Sequence, residues 1–491
     1  MSSITRPRNT MKESLKKISM IVGIVVIAGL TIIGGRVVII RLVGKAVPNS
    51  SKSGLIRPAE SNRYLVVFKN PAAFSDSTIS KGQLEIREKK LTDSIATFCR
   101  DYHIEEFRPL TRTTTGFIAR LTTDQVERLR ALESAGALVM REDFQIQGEP
   151  IQQGEPIQQG EPIQQGEPIQ QGEPIQQEWN MVSVADGTMM SCAVYRAGGP
   201  EVPENLSKSM WIVDTGIHDV EFIDGAGTRR KALNIDLTHA KNYVNPTLGP
   251  DDDNGHGTMV ASIAAGMGVG WGVDGFSLVV GMAPGAKVVP IKILDEDGVG
   301  KYLNLVDALE HIAGVGEAGD VVNLSIGDFP IINCAHAAPE LIEQLDKLVR
   351  GPKKFFVVMS AGNNYGDASE SLPGCYSGNK RLITVGAINC NKSCALYSNL
   401  NSGTIDYFAV GTNVLTFREG MDSSGTPFWG VGVASGTSMA TAVVSGLAYL
   451  KKEEGGNSLR SDLISVSCMY PHHTGTTNEK LAVRKENRIW D

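Results

Sequence analysis

Four polar residues stand where an apolar run ends or a helical run begins: Asp214, His256, Asn363 and Ser438. Asp214 follows Trp-Ile-Val and precedes Thr215-Gly216. One Asp-Thr-Gly does not make an aspartic protease. That chemistry needs two carboxylates sharing a proton, and here Asp422-Ser423-Ser424-Gly425 is only a near miss. His256 lies in Asn254-Gly255-His256-Gly257-Thr258, between glycines that let backbone approach closely at a helix start. Ser438, in Gly436-Thr437-Ser438-Met439-Ala440, opens a helix that is apolar on every side and so belongs to a core. At that position a hydroxyl is either a helix cap or a nucleophile whose developing oxyanion would meet helix N–H groups. Asn363, in Ser360-Ala361-Gly362-Asn363-Asn364, is either a turn residue or an amide donor to that oxyanion. The spacing around Ser438 is not Gly-x-Ser-x-Gly, which excludes the nucleophile elbow of α/β-hydrolases.

The elements that must position these groups alternate. Apolar strand candidates are Met210–Val213, Lys287–Ile293, Val321–Ser325, Phe355–Ser360, Leu382–Gly386 and Thr404–Ala409. Helix candidates are His256–Met267, Asn304–Ala318, Pro339–Val349 and Ser438–Lys452. Near-continuous apolar strands separated by helices predict an α/β domain, a parallel sheet covered by helices on both faces. Sites in such sheets gather at the carboxyl ends of strands, where these motifs fall.

Asp, His, Asn and Ser in this chain order resemble the subtilisin-like serine proteases, whose triad runs Asp, His, Ser. The resemblance covers roughly residues 179–455 and extends to Gly-Met-Ala-Pro-Gly-Ala (281–286), Ile-Leu-Asp-Glu-Asp-Gly-Val-Gly (293–300), Asn-Leu-Ser-Ile-Gly (323–327) and Ile-Thr-Val-Gly-Ala (383–387). Trp179 and Ser-Ala-Gly-Asn-Asn look similar to the proteinase K branch. The resemblance implies catalytic Asp214, His256 and Ser438, with Asn363 at the oxyanion. It also implies an extended substrate flanked by Gly298, Gly300 and Ser325-Ile326-Gly327, and a first pocket walled by Ser325–Gly327 and Ser360-Ala361-Gly362, with Asp328 near its base. Two positions depart from the family pattern: Met259 where His is usual and Ala442 where Pro is usual. The competing reading is a catalytically inactive relative serving as a surface or binding protein. No cofactor is required; structural calcium, common in the family, would look to the acidic runs Asp251–Asp253 and Asp295–Asp297.

The rest of the 491-residue chain frames this module. The net charge is −7, but residues 1–60 hold ten Lys/Arg against two Asp/Glu and the remainder 37 against 52. An acidic body argues against nucleic-acid binding. Residues 1–45 form a leader: five basic residues precede the apolar run Ile18–Gly35, predicting a signal peptide or a signal anchor that membrane-anchors the chain through residues 18–35. Either places the rest outside the cytosol, secreted or at the cell surface. Six cysteines after residue 178 predict three disulfides there, Cys334–Cys375 and Cys192–Cys468 among them, with Cys390 and Cys394 near enough for a short loop. Asn49, Asn205 and Asn391 are glycan acceptors by motif, while Asn323 falls in a buried strand.

Residues 46–62 are a polar linker. Residues 63–145 read as strand-helix-strand-strand-helix-strand, a small α+β domain that looks like the family's inhibitory propeptide, an intramolecular partner of the cleft. Within it are strands at Tyr64–Lys69, Thr115–Leu121 and Ala137–Phe144, and helices at Leu84–Tyr102 and Thr123–Ser134. From Gln147 the unit Gln-Gly-Glu-Pro-Ile-Gln recurs five times. One apolar residue per unit cannot build a core, so residues 146–178 are expected to be an exposed linker carrying the activation cut. The peptidase-like module is 179–491.

Overall fold

A computed structural model describes residues 24–33, 36–45, 62–69, 81–148, 181–183, 189–223, 228–271, 276–327, 338–376, 379–400, 403–421, 427–451, 461–470 and 473–482. Most of the linker 46–62, most of the repeat, Trp179, Asp328 and Cys334 lie outside them. The chain divides into two compact units, Met1–Leu55 and Ile56–Asp491.

In the first unit Ile24–Ile33 pairs antiparallel with Arg36–Lys45. A strand thus stands over much of the apolar run Ile18–Gly35. Its β-branched residues, Ile24, Val25, Val26, Ile27, Ile32 and Ile33, lose side-chain freedom in a helix and suit an extended chain. No described helix is long and apolar enough to cross a membrane.

In the second unit the central sheet has ten strands. Its main path runs Asn234–Ile235, Lys287–Lys292, Met210–Asp214, Val321–Leu324, Phe356–Ser360, Leu382–Ile388, Tyr407–Val410, His473–Ala482 and Ser461–Tyr470. The pairings from Asn234–Ile235 through Tyr407–Val410 are all parallel. Side chains alternate between two cores, the period-2 consequence of a strand buried on both faces. Met210 and Ile212 join the core formed with the helices His256–Ala265 and Thr437–Leu450. Trp211 and Val213 join the opposite core, with Tyr302–Val315 and Pro339–Arg350. The chain order reverses at Met210–Asp214, which lies between the later strands Lys287–Lys292 and Val321–Leu324. That is the switch point where open α/β sheets place their sites.

Residues 62–142 form a separate four-stranded antiparallel sheet in the order Phe107–Leu110, Gly116–Arg120, Arg63–Phe68, Leu138–Glu142. The strand Phe107–Leu110, which includes Pro109, takes the place of the expected strand for which the sequence sets no bounds. The helices Lys81–Asp101 and Thr123–Ser134 cover one face, where Val66, Phe117, Ile95 and Leu129 pack. Thr122 and Gln125 close a capping box on the second helix. The paired Leu65 and Ile118 point the other way, into the core shared with Tyr302, Leu305 and Leu309. The small sheet therefore sits on the two outer helices of the large domain.

Cys192 bonds Cys390, so the expected Cys192–Cys468 link and the short Cys390–Cys394 loop are both corrected. Cysteine spacing does not encode pairing: the two residues are 198 apart in sequence, and folding brings their Cα atoms to 6.1 Å. Cys375 and Cys394 are also disulfide-bonded. Cys99 is a free thiol that burial pushes up to about 12.

Candidate active site

Asp214 ends its strand at the switch point and is fully buried. Its Oδ1 accepts from Thr215 N at 2.8 Å and lies 2.7 Å from His256 Nδ1. An ionised carboxylate only accepts, so this contact keeps the imidazole proton on Nδ1 and makes Nε2 the basic nitrogen. The approach depends on Gly257: a Cβ there would fall 2.1 Å from Gly216 O and 3.2 Å from Asp214 Cβ.

A second carboxylate, which the motifs did not reveal, holds this turn to the His256 helix. Asp252 Oδ1 accepts from Thr215 Oγ1, Asn254 N and Gly255 N, and its Oδ2 accepts from Thr258 N and Oγ1. Thr215 Oγ1 in turn accepts from Gly257 N at 2.9 Å. Below it Lys292, nearly inaccessible, donates to Thr215 O, Leu294 O and Asp253 Oδ1. The signal was present as hydroxyls flanking each motif, Thr215 after Asp214 and Thr258 after His256. Asp251 meets His218, and Asp295 accepts from Asp297 N and Val299 N. No group of three or more His, Cys, Asp or Glu converges among the described residues.

Ser438 lies in the first turn of Thr437–Leu450, 1 % exposed. Its Oγ has no hydrogen-bond partner among the described residues, so no other group competes for its lone pairs. Asn363 Oδ1 accepts from Thr437 N at 2.8 Å and Thr437 Oγ1 at 2.9 Å, which turns its Nδ2 the other way. A Cβ built on Gly436 would lie 3.3 Å from that Nδ2 and 3.8 Å from Ser438 N. Two N–H donors thus border one small space beside Ser438. Ser325 Oγ donates to Ser438 O at 3.3 Å and to Asn323 Oδ1. Ser360 Oγ donates to Ile326 O at 3.2 Å, joining the two expected pocket walls, and Ala361 and Gly362 continue the second. Met259 and Ala442 are both buried in packing.

The expected edge strands face each other across the chain's own residues 145–148. Gln145–Gln147 pairs antiparallel with Val299–Lys301, so that Ile146 stands opposite Gly300. Gly148 N donates to Gly298 O at 2.7 Å, Gly148 bridges Ile326, and Gly327 N donates to Gln147 O at 3.3 Å. Gln145–Gln147 is thus a strand, and Gly148 an isolated bridge beyond it.

The small domain leading into this segment docks through buried polar groups. Glu310 accepts from Thr111 N, Arg112 N and Thr113 N at 2.6, 2.6 and 2.7 Å. Asp307 pairs with Arg63 and Arg108, and Glu340 with Arg141. Phe144 stacks on Tyr302 with centroids 4.4 Å apart. Asn304, Asp307 and Glu310 recur every third residue, one face of an otherwise apolar helix. That polar stripe was the available signal.

A parallel sheet with an Asp–His pair at its switch point and a serine opening a buried helix defines a subtilisin-like α/β fold. The Subtilase family model matches residues 210–466, just over half of the chain, and the protein belongs to that family. It is 32% identical over 217 residues to the "Intracellular serine protease" of Paenibacillus polymyxa, covering 43% of this chain and 58% of that one. It is 30% identical over 265 residues to "Subtilisin-like protease 3" of Pseudogymnoascus destructans, covering 52% and 55%. The chain spans about half the length of these curated relatives. Among solved structures, the S393A mutant of the epidermin leader peptide processing serine protease of Staphylococcus aureus superposes with a TM-score of 0.50 at 17% identity. That match covers 80% of this chain and 89% of the other, and it shows the shared fold.

Proposed function

We propose that the protein is a serine endopeptidase made as a self-processed zymogen. The observation that carries this reading is the buried Asp214–His256 contact at 2.7 Å, alongside Ser438 at the start of its helix and the two donors beside it. Ser438 Oγ attacks the peptide carbonyl, and His256 Nε2 takes its proton and later delivers it to the leaving amine. Asp214 orients the imidazole and stabilises its charged form. Asn363 Nδ2 and Ser438 N–H hold the oxyanion. The chain supplies every group in this scheme, and calcium is given no part in it. Substrates are proteins or peptides bound in extended form between Gly298–Gly300 and Ser325–Gly327. The pocket walls favour apolar or aromatic side chains, within a proteinase K-like branch.

Residues 63–145 act as the intramolecular inhibitor, which the strand at Gln145–Gln147 supports by lying where a substrate would. Export is part of the proposal. The basic, apolar leader and the Cys192–Cys390 bond suit a secreted or cell-surface protein. A fluorophosphonate probe tests the central claim. It should label the processed protein at Ser438 and fail on Ser438→Ala, and an unlabelled processed protein would refute the enzyme reading.

A further inference from the structure

Lys292 stands beside Asp214 as its register partner in the parallel sheet. Asp214 O accepts from Ile293 N at 2.9 Å and from Leu294 N at 3.3 Å, so the backbone already joins the two strand ends. The Lys292 side chain adds a second tie. It is 3 % exposed, and its ammonium donates to Thr215 O at 2.6 Å, Leu294 O at 2.7 Å and Asp253 Oδ1 at 2.6 Å. Three donors thus meet three acceptors. A buried ammonium is costly unless its protons are taken, so this one holds three backbone segments against one another.

Each segment has a different task. Thr215 follows Asp214, and its hydroxyl accepts from Gly257 N. Asp253 lies in the loop before His256. Its neighbour Asp252 accepts from Thr258 N, and its neighbour Asn254 accepts from His256 N at 3.2 Å. Leu294 belongs to the cleft. It bridges Gly300 antiparallel and shares one buried cluster with Ile146. A Cβ at Gly148 would stand 3.2 Å from Leu294 Cδ1, and one at Gly300 2.8 Å from Leu294 Cδ2. The Leu294 side chain therefore borders both the seated strand and the edge with which that strand pairs.

We propose that Lys292 is a positioning residue that couples occupancy of the cleft to the alignment of Asp214 and His256. This rests on the proposed endopeptidase activity and names the residue through which that site responds to the length of its substrate. A substrate side chain seated where Ile146 lies packs on Leu294. The ammonium that holds Leu294 O also holds Thr215 O and Asp253, so the floor of the cleft settles together with the catalytic turn. Binding energy from a part of the substrate remote from the reacting bond is thereby realised as alignment, and it raises kcat as well as lowering KM. Methionine in the place of Lys292 would fill much of the same space. It would leave the Thr215 and Leu294 carbonyls without this donor, and the turn would settle independently of the floor.

The test uses the processed protein and a series of peptide nitroanilides lengthened one residue at a time on the amino side, each beginning with isoleucine. At the length where isoleucine takes the place of Ile146, kcat of the parent is expected to rise about tenfold while KM falls. In Lys292→Met the fall in KM should remain and the rise in kcat should be lost. Thermal unfolding of the Ser438→Ala precursor carrying Lys292→Met shows whether that variant folds. If it does not, Asp253→Ala decides, because it removes one acceptor at the half-exposed end of the ion pair and should lose part of the rise. A parent without the rise, a folded Lys292→Met that keeps it, a kcat lowered by the same factor at every length, or an Asp253→Ala with the full rise where Lys292→Met is unfolded would each overturn the proposal. Fluorophosphonate labelling of the parent separates the two claims. Label without the rise defeats this inference alone, whereas no label defeats the enzyme reading beneath it.

Discussion

Thr215 Oγ1 donates to Asp252 Oδ1 at 2.8 Å and at the same time accepts from Gly257 N at 2.9 Å. One hydroxyl therefore ties the residue after Asp214 to the residue after His256. Removing it frees neither acid nor base, but it unpairs a buried N–H and one lone pair of a buried carboxylate, at a cost of about 1–3 kcal/mol each.

Thr215→Val is accordingly expected to lower kcat by roughly 10–10²-fold with KM little changed, since the loss is one of alignment. Thr215→Ser, which keeps the hydroxyl, should restore most of it. Steady-state kinetics on a peptide substrate checks the split. A Thr215→Val protein with normal kcat, or one changed only in KM, would show that the tie does not align the pair.

Gly436 supplies a different test, because a methyl there enters the space bordered by Asn363 Nδ2 and Ser438 N. Gly436→Ala is expected to reduce turnover by about 10²–10³-fold, the range typical of losing one oxyanion donor. Asn363→Ala should fall in the same range. The double variant should lose less than the product of the two, since both disturb one space. Full multiplicativity in the kinetics would place the two effects in different locations.

The sheet, the four long helices and the chain positions of Asp214, His256, Asn363 and Ser438 were readable because each rests on a local pattern. Apolar strands such as Val321–Leu324 and the glycines around His256 carry their own signal. The groups that hold the site together were not readable in the same way. Asp252 and Lys292 act through hydrogen bonds whose partners include residues 37 and 77 positions away. No periodicity encodes such distances. The same holds for Cys192–Cys390, and for the strand at Gln145–Gln147, whose partner Val299–Lys301 lies far along the chain.

Two groups on the docking helix, buried Asp307 and half-buried His311, predict opposing effects of pH. Burial pushes Asp307 up to about 6, against the pull of Arg108 and Arg63; Glu310 reinforces the rise and Lys241 opposes it. The folded state then holds a proton that the unfolded chain releases between about pH 4 and 6, so Asp307 removes stability as pH rises through that window. Burial of Asp143 and Asp320 acts in the same sense. His311, whose Nε2 meets His239 O at 2.9 Å, is pushed by burial down to about 4. There the unfolded chain holds the extra proton, so His311 adds stability as pH rises from about 4 to 6.5. Thermal midpoints of Ser438→Ala precursor should therefore change with a more positive slope over this range in Asp307→Asn, and with a less positive slope in His311→Asn, than in the parent. Parallel profiles for all three proteins would contradict the assignment.

Glu310 makes the most concentrated contact between the small domain and the rest. Its carboxylate collects the backbone N–H groups of three successive residues, Thr111, Arg112 and Thr113, and is almost inaccessible. Charge-assisted hydrogen bonds of this kind contribute about 1.5–3 kcal/mol each, and truncation would leave three donors facing an apolar gap. Glu310→Ala is expected to weaken retention of the small domain after the linker is cut by at least about 10²-fold, each tenfold corresponding to about 1.4 kcal/mol. Glu310→Gln keeps one acceptor oxygen and should lie between. The readout is the concentration at which processed protein regains full peptidase activity on dilution, with size-exclusion chromatography following release of the domain. If Glu310→Ala released its small domain no more readily than the parent, the docking energy would have to come from the apolar face of Leu65 and Ile118 and from the strand at Gln145–Gln147 instead.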